Sequence, residues 1–188
     1  MTATPGQTIK AILTGMAQVA CGQKAGIERF GDTARAFLGS LLPGLGFLTG
    51  AVIEGVMHGD GAMAFAAVPA SLCMLLAPPV FSYELARRWG REQHWYRYCV
   101  AFNWCQWLLP VIGLVAINVM GLLFGAGVKG GGLTVLAGLT FYALWINWFL
   151  ARNGLALTAG RAVLFVFAVN LGVALLMFVP ILAAGKMP

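Results

Sequence analysis

Charged side chains are scarce in this chain. Lys, Arg, Asp and Glu make up 10% of its 188 residues, whereas hydrophobic residues make up 60%. A soluble domain carries about 25% charged residues, so this composition cannot cover a globular surface with polar groups. Long apolar runs stand in place of the missing charge. The sequence therefore predicts an all-α integral membrane protein.

Familiar motifs of catalysis and metal binding are also missing. The sequence contains no HExxH, no P-loop and no GxSxG. The two histidines, His58 and His94, fall on opposite sides of the predicted membrane and cannot share a metal or a haem. The four cysteines include no CxxC pair, so neither a zinc site nor a disulfide framework is predicted. We expect no catalytic residue, no cofactor and no metal, and a protein that is not an enzyme.

Five apolar segments are long enough to cross a bilayer as helices. They cover residues 36–57, 62–85, 98–124, 133–150 and 162–184. We divide the chain into a cytoplasmic amphipathic segment, 1–32, and a five-helix transmembrane domain, 33–188. Pro78 and Pro79 predict a bend or break in the second span, and Pro110 predicts a kink in the third, because proline cannot donate a helical hydrogen bond.

Residues 7–24 have the pattern of an amphipathic helix. Apolar side chains recur at helical spacing at Ile9, Ile12, Leu13, Met16 and Val19. Such a helix lies in the membrane interface on the cytoplasmic side, or it packs on the spans from that side. Both alternatives stay open at the level of the sequence.

Lys and Arg are divided unequally between the two sides of the predicted bundle. Ten of the twelve fall on the side of the N-terminus, and only Lys129 and Lys186 fall on the other. Short loops rich in Lys and Arg stay in the cytoplasm. We therefore expect a protein of the bacterial inner membrane, with its N-terminus in the cytoplasm and its C-terminus in the periplasm.

The strongest polar segment, 86–97, interleaves four Arg with Trp and Tyr, and all six Trp of the chain fall near the same edge. Such an edge is an aromatic belt at the lipid headgroups, a docking surface, or both. The candidate contacts to a partner or to lipid are Arg87, Arg88, Arg91, Trp95, Arg97, Trp104, Trp148 and Arg152. Lipid phosphates explain this segment better than nucleic acid does. The expected partners are membrane lipids and either another membrane protein or a second copy of the chain, and no nucleic acid.

Four polar residues fall at a similar depth near the cytoplasmic ends of three spans: Glu84, Asn103, Gln106 and Asn147. Unpaired polar groups are costly in lipid, so we expect this candidate buried polar band to face across helices, with at least two of its side chains pointing into the bundle. The band is either structural hydrogen bonding between helices or a functional polar pocket. Glu84 also stands three and four residues before Arg87 and Arg88, the spacing of an ion pair on one helix face.

Gly46 and Gly50 form a GxxxG pair in the first span. Small residues at this spacing let another helix approach closely. We expect that helix to be another span of the same monomer rather than a second copy.

Three stretches carry a resemblance to a known group. They are residues 33–40 (TARAFLGS), 96–106 (YRYCVAFNWCQ) and 145–155 (WINWFLARNGL). In them the chain resembles small five-span membrane proteins of alphaproteobacteria, for which no activity is assigned. The five-span plan is also similar to the Yip family of small multispanning trafficking proteins, although the family's Tyr-Gly-Pro type motif is not present. Neither resemblance implies an activity.

Three functions fit these observations. The first is a non-enzymatic membrane protein that binds another membrane component, as an accessory or assembly subunit of a larger complex. Short loops and the lack of catalytic motifs favour it. The second is a small transporter or channel, favoured by Pro78-Pro79 and the buried amides. The third is a membrane enzyme that acts on lipid, for which only the Arg-rich segment speaks.

Overall fold

The computed structural model describes residues 5–124 and 131–184, and over these ranges the chain consists of helices joined by short turns. The α-helices are α1 (Pro5–Ala20), α2 (Ala34–Met57), α3 (Gly61–Arg88), α4 (Trp95–Cys105), α5 (Leu108–Phe124), α6 (Gly131–Gly154) and α7 (Ala159–Ala184). Two short 3-10 helices cover Lys24–Arg29 and Glu92–His94. Lys129 and Lys186, which the orientation argument used, lie outside the described residues.

The predicted fold is confirmed. Five stretches are long and apolar enough to cross a membrane, with α4 and α5 together forming the third, and a shorter apolar helix precedes them. The chain is therefore an all-α polytopic membrane bundle of five spans with an N-terminal helix. The predicted segments end within four residues of the observed helices, because the length of an apolar run fixes the length of a span.

The N-terminal helix is shorter than predicted. It ends at Ala20 instead of residue 24 because Gly22 adopts a left-handed backbone, with φ of 73°. The N–H groups of Gly22 and Gln23 donate to the carbonyls of Val19 and Gln18, at 2.9 and 2.8 Å. These bonds form a Schellman motif, which closes a helix and lets the chain turn. The 3-10 helix Lys24–Arg29 then folds back alongside α1.

The third span is interrupted about one turn before Pro110, the residue at which the sequence predicts a kink. Pro110 has no N–H for the carbonyl of Gln106, and its ring crowds that carbonyl. The helix therefore stops at Cys105 and restarts at Leu108. Between them the hydrogen bonds tighten to three-residue spacing, from Trp107 N–H to the Trp104 carbonyl and from Leu109 N–H to the Gln106 carbonyl.

The second span shows no break. Although Pro78 and Pro79 each lack a donor, α3 is one continuous helix from Gly61 to Arg88. Complete turns on both sides hold the helix, and neighbouring helices make such prolines tolerable within a membrane. A break at this proline pair, one of the two predicted outcomes, is therefore wrong. The segment 86–97 is also mostly helical, since only residues 89–91 lie outside α3, the 3-10 helix Glu92–His94 and α4.

The spans form a closed ring. α2 packs against α3, α3 against α7, α7 against α6, α6 against α4, and α4 returns to α2. α5 extends beyond α4 and packs mainly on α6. The glycines that bring α2 close to α3 are Gly44, beside Leu75, and Gly55, beside Ala64. Gly46 and Gly50 have nothing within 4 Å of where a side chain would begin, so the prediction that they pack within the monomer is wrong.

The buried core lies at the end of the bundle that carries the Arg residues. It combines side chains from α1, the Lys24–Arg29 helix, α4, the end of α6 and the start of α7. The largest fully buried residues are Phe165, Leu150, Leu155, Val19, Cys99, Cys105 and Ser82. Toward the opposite end the helices expose apolar side chains, as expected of a surface that faces lipid.

α1 packs against the spans, which is one of the two alternatives for this segment. Met16 and Val19 are buried, and the Tyr142 hydroxyl of α6 donates to the carbonyl of Ala20 at 3.0 Å. Ile9 and Leu13 remain exposed, each at 59%. The helix therefore has one face on the protein and an apolar edge left open.

Candidate functional site: a polar cavity inside the ring

A cavity of about 410 Å³ lies inside the ring of helices. Residues from α2, α3, α6, α7 and the interrupted third span all line it. Its polar lining side chains are Ser40, Tyr98, Asn103, Gln106, Asn147 and Asn170. The rest of the wall is apolar, with Leu75, Phe102 and Val169 among its residues. No Asp, Glu, Lys or Arg is among the described lining residues.

Three of the four residues of the predicted polar band meet at this cavity. Asn103 Nδ2 donates to Ser40 Oγ at 2.8 Å, and Gln106 Nε2 donates to Asn147 Oδ1 at 3.4 Å. The first bond has an ordinary length. Ser40 Oγ is free to accept it, because its own hydrogen is donated to the Phe37 carbonyl at 2.7 Å. The second is long for an N–H···O bond. The Gln106–Asn147 pair therefore keeps hydrogen-bonding capacity for a third group.

Glu84 is not part of this cavity. Its carboxylate lies on the outer side of α3, where it binds Arg87 at 3.1 Å and Arg88 at 3.0 Å. Glu84 is therefore not a buried member of the polar band, and the ion pair that its spacing predicts is confirmed. The physical reason is that the end of α3 supplies two cations at one-turn spacing, so the carboxylate is paired without entering the bundle.

The cavity adjoins the interruption of the third span and, beyond it, the lipid-facing surface. Gln106 and Trp107 line the cavity where α4 gives way to α5. Trp107 also borders a groove on the outside of α2, formed with Gly46, Gly50 and Glu54. The rings of Phe47 and Trp107 pack together, with centroids 4.8 Å apart, at this boundary. An aromatic pair thus separates the polar interior from the open face of α2.

Trp95, a candidate contact residue, is buried instead. It is 8% exposed and packs among Phe37, Tyr83 and Tyr96. Its indole Nε1 donates to Ser82 Oγ at 3.0 Å, so its polar group is satisfied inside the protein. Trp95 also lines an open groove with Val80 and Tyr83, where only a small part of its surface is presented to a partner. An aromatic residue at the start of a span looks the same in the sequence whether it faces the headgroups or the bundle.

The other candidate contacts lie at the surface or the edge of the bundle, in different settings. Arg97 binds Asp32 at 2.8 Å, and its Nε is buried without a partner among the described residues. Arg152 lies over the Trp148 ring, 5.2 Å from the centroid, and Trp148 Nε1 donates to the Ala159 carbonyl at 3.2 Å. The remaining four are Arg87 and Arg88 beside Glu84, half-buried Arg91, and Trp104, which lines a groove under α1.

Sequence reasoning missed three polar residues of the cavity: Ser40, Tyr98 and Asn170. Ser40 is a single small polar residue near the start of the first span, and nothing in the sequence indicates that it faces a cavity. Asn170 Nδ2 donates to the Val166 carbonyl of its own helix at 2.8 Å. Asn118 bonds the Leu114 carbonyl in the same way, at 2.7 Å, and is exposed. Both side chains are bonded within one helix, because an Asn side chain reaches the carbonyl four residues back.

Comparison of the chain with protein-family models, with curated proteins and with solved structures gives no match. The class of the protein therefore rests on its fold, which is that of a five-span membrane protein with a polar cavity inside its ring of helices. Among the residues that the structure describes, no three His, Cys, Asp or Glu side chains are placed to hold a metal ion. The resemblances noted in the sequence stay untested.

Proposed function

We propose that this membrane protein binds a neutral component of the membrane in its central cavity, without catalysing a reaction. The cavity itself carries the proposal. Its volume of about 410 Å³ falls in the range of small-molecule sites, about 300–1,000 Å³. Its walls are mostly apolar, and a few amides and hydroxyls converge on one region, which is the usual composition of such sites.

The lining selects the chemistry of the ligand. Because burial of an unpaired charge costs far more than burial of a neutral polar group, the uncharged wall favours a neutral molecule. Asn103, Gln106 and Asn147 offer both donors and acceptors. The apolar remainder fits a hydrocarbon body. The expected ligand is therefore a lipid-soluble molecule with a small hydrogen-bonding head.

Loss of the cavity amides tests this proposal. We expect the full chain, purified in mild detergent from native membranes, to carry about one molecule of a neutral ligand that solvent extraction and mass spectrometry detect. Asn147→Leu and Asn103→Leu should each reduce its occupancy by about tenfold, since leaving a buried polar group of the ligand without its partner costs about 1–3 kcal/mol.

A matched control is available in the third span. Asn118→Leu makes the same chemical change at an exposed position away from the cavity, and its ligand occupancy should equal that of the wild type. A second pair of variants changes side-chain size. Ala143→Leu should narrow the cavity and lower ligand occupancy, whereas Ala137→Leu makes the same change at an exposed position of the same helix and should not. Equal occupancy in all five variants and the wild type, or no ligand in any of them, would refute the proposal.

Two broader roles remain proposals beside it. Transport is supported by the interrupted third span next to the cavity, an arrangement that transporters use at their substrate sites. An accessory or assembly role is supported by the open face of α2 at Gly46 and Gly50. Co-purification from native membranes separates the two. A stoichiometric protein partner supports the accessory role, and a lone oligomer that encloses a wet pore supports transport.

The proposed orientation has a direct test. We expect the N-terminus in the cytoplasm of a bacterial cell, because ten of twelve Lys and Arg share its side. With exposed Cys21 and Cys73 replaced by Ser, a membrane-impermeant thiol reagent should label Asp60→Cys in intact cells, and label Gln93→Cys only after permeabilisation. The reverse pattern would overturn the orientation.

A further inference from the structure

A second cavity, of about 570 Å³, opens at the Arg-rich end of the bundle. It is a groove between α1 and the start of α2, with α4 at its floor. Its apolar lining residues are Ala11, Ile12, Ala36, Gly39, Val100 and Trp104. The polar residues Arg29, Thr33 and Arg35 stand with Gly31 where the chain enters α2. The groove therefore has a cationic mouth and an apolar interior.

The cations at the mouth are free to receive an anion. Arg29 Nε donates to Gln18 Oε1 at 2.7 Å, a neutral partner that positions the guanidinium without neutralising it. Arg35 is exposed and belongs to none of the ion pairs within the described ranges. The nearby carboxylate of Asp32 is already bound to Arg97. Both guanidinium charges therefore remain available at this mouth.

The apolar part of the groove runs in the direction of the spans. Along α2 it extends from Arg35 to Gly39, one turn further into the bundle, and Trp104 of α4 forms part of its wall. Gly39 has nothing within 4 Å of where a side chain would begin, so it leaves a channel on the helix surface. Ala11 and Ile12 of α1 form the opposite wall. A chain-like apolar group fits this shape better than a compact polar one.

We infer that this groove binds one anionic phospholipid, with its phosphate at Arg29 and Arg35 and an acyl chain along Ala36, Gly39 and Trp104. Charge complementarity selects the headgroup, since arginine matches phosphate geometry with paired donors. The position of the groove at the basic end of the molecule places it against the leaflet that holds anionic lipid under the proposed orientation. This inference is independent of the neutral ligand in the central cavity.

The experiment is a lipid titration of the delipidated full chain in detergent, read by native mass spectrometry. Phosphatidylglycerol should bind at one site at least about tenfold more tightly than phosphatidylcholine with the same acyl chains. Arg29→Gln with Arg35→Gln should remove that preference. Lys24→Gln with Arg161→Gln removes the same charge at the same end, at exposed positions outside the groove, and should keep the preference.

Two further variants keep the result interpretable. The Arg35 side chain makes no hydrogen bond or ion pair within the described protein. A loss of phosphatidylglycerol binding in Arg35→Gln alone therefore does not come from undocking of α1. Gly39→Leu fills the channel without changing charge and should also abolish high-affinity binding. The inference is overturned if the groove and control double variants lose affinity equally. It is also overturned if glycerol phosphate competes as well as the whole lipid, or if Gly39→Leu binds like the wild type.

Discussion

Replacing Phe165 by Ala is expected to destabilise the bundle by roughly 3 kcal/mol, the lower end of the range for a buried Phe→Ala change. Phe165 is fully buried where α7 meets α3 and α4. Its ring makes an edge contact with Tyr98, at 5.4 Å between centroids, and packs against Trp89 at 6.0 Å. Removing the ring leaves a hole in the only large buried cluster of the described chain, so SDS titration of the purified protein should show early unfolding.

Phe167, two residues further along α7, supplies the control for this change. It is 64% exposed on the lipid-facing side. Phe167→Ala removes the same ring, but lipid or detergent fills the space, so its unfolding midpoint should stay close to that of the wild type. Equal midpoints for the two Ala variants would show that the buried cluster does not hold the bundle together.

Gly26→Val is expected to detach α1 from the spans. A Cβ on Gly26 would lie 2.8 Å from the Gly15 carbonyl oxygen and 2.9 Å from the Val19 backbone nitrogen. These atoms belong to the backbone of α1 and cannot rotate away, so the cost should reach about 3 kcal/mol, the upper part of the range for overpacking. Hydrogen exchange should accelerate at residues 9–20, while the five spans keep their protection.

Gly160→Val is the matched control for the detachment of α1. Gly160 lies in the first turn of α7 with nothing within 4 Å of its missing side chain, so the same enlargement should leave exchange in α1 unchanged. Protected amides in α1 of the Gly26→Val protein would contradict the assignment of Gly26 and Gly15 as the contact that docks the N-terminal segment.

The number and extent of the spans followed from the sequence because they depend on runs of apolar residues, a local property. The hydrogen-bond partners of the polar side chains could not be predicted from the sequence. Asn103 meets Ser40, 63 positions away, through a contact that hydropathy cannot indicate. Asn103, Gln106 and Asn147, which stand at similar distances from the ends of their spans, share one cavity. Rotation about the helix axis, which hydropathy does not give, places Glu84 outside that cavity.

The contacts of the glycines, like those of the polar residues, could not be predicted from the sequence. The spacing of Gly46 and Gly50 is visible in the sequence, yet their face of α2 meets no other helix in the described chain. Gly15 and Gly26 have no motif between them, yet they form the close contact between α1 and the following 3-10 helix. A small residue permits close approach, but the surrounding packing decides whether anything approaches.

The docking of α1 has a consequence for biosynthesis. Ala20 accepts its hydrogen bond from Tyr142, which the ribosome adds 122 residues later. Until α6 has entered the membrane, the N-terminal helix lacks this partner and can pack only on the 3-10 helix Lys24–Arg29 and on α4. Its docking is therefore complete only after most of the spans have been made. A nascent chain arrested before residue 142 should present α1 to protease, and one released after α6 should protect it.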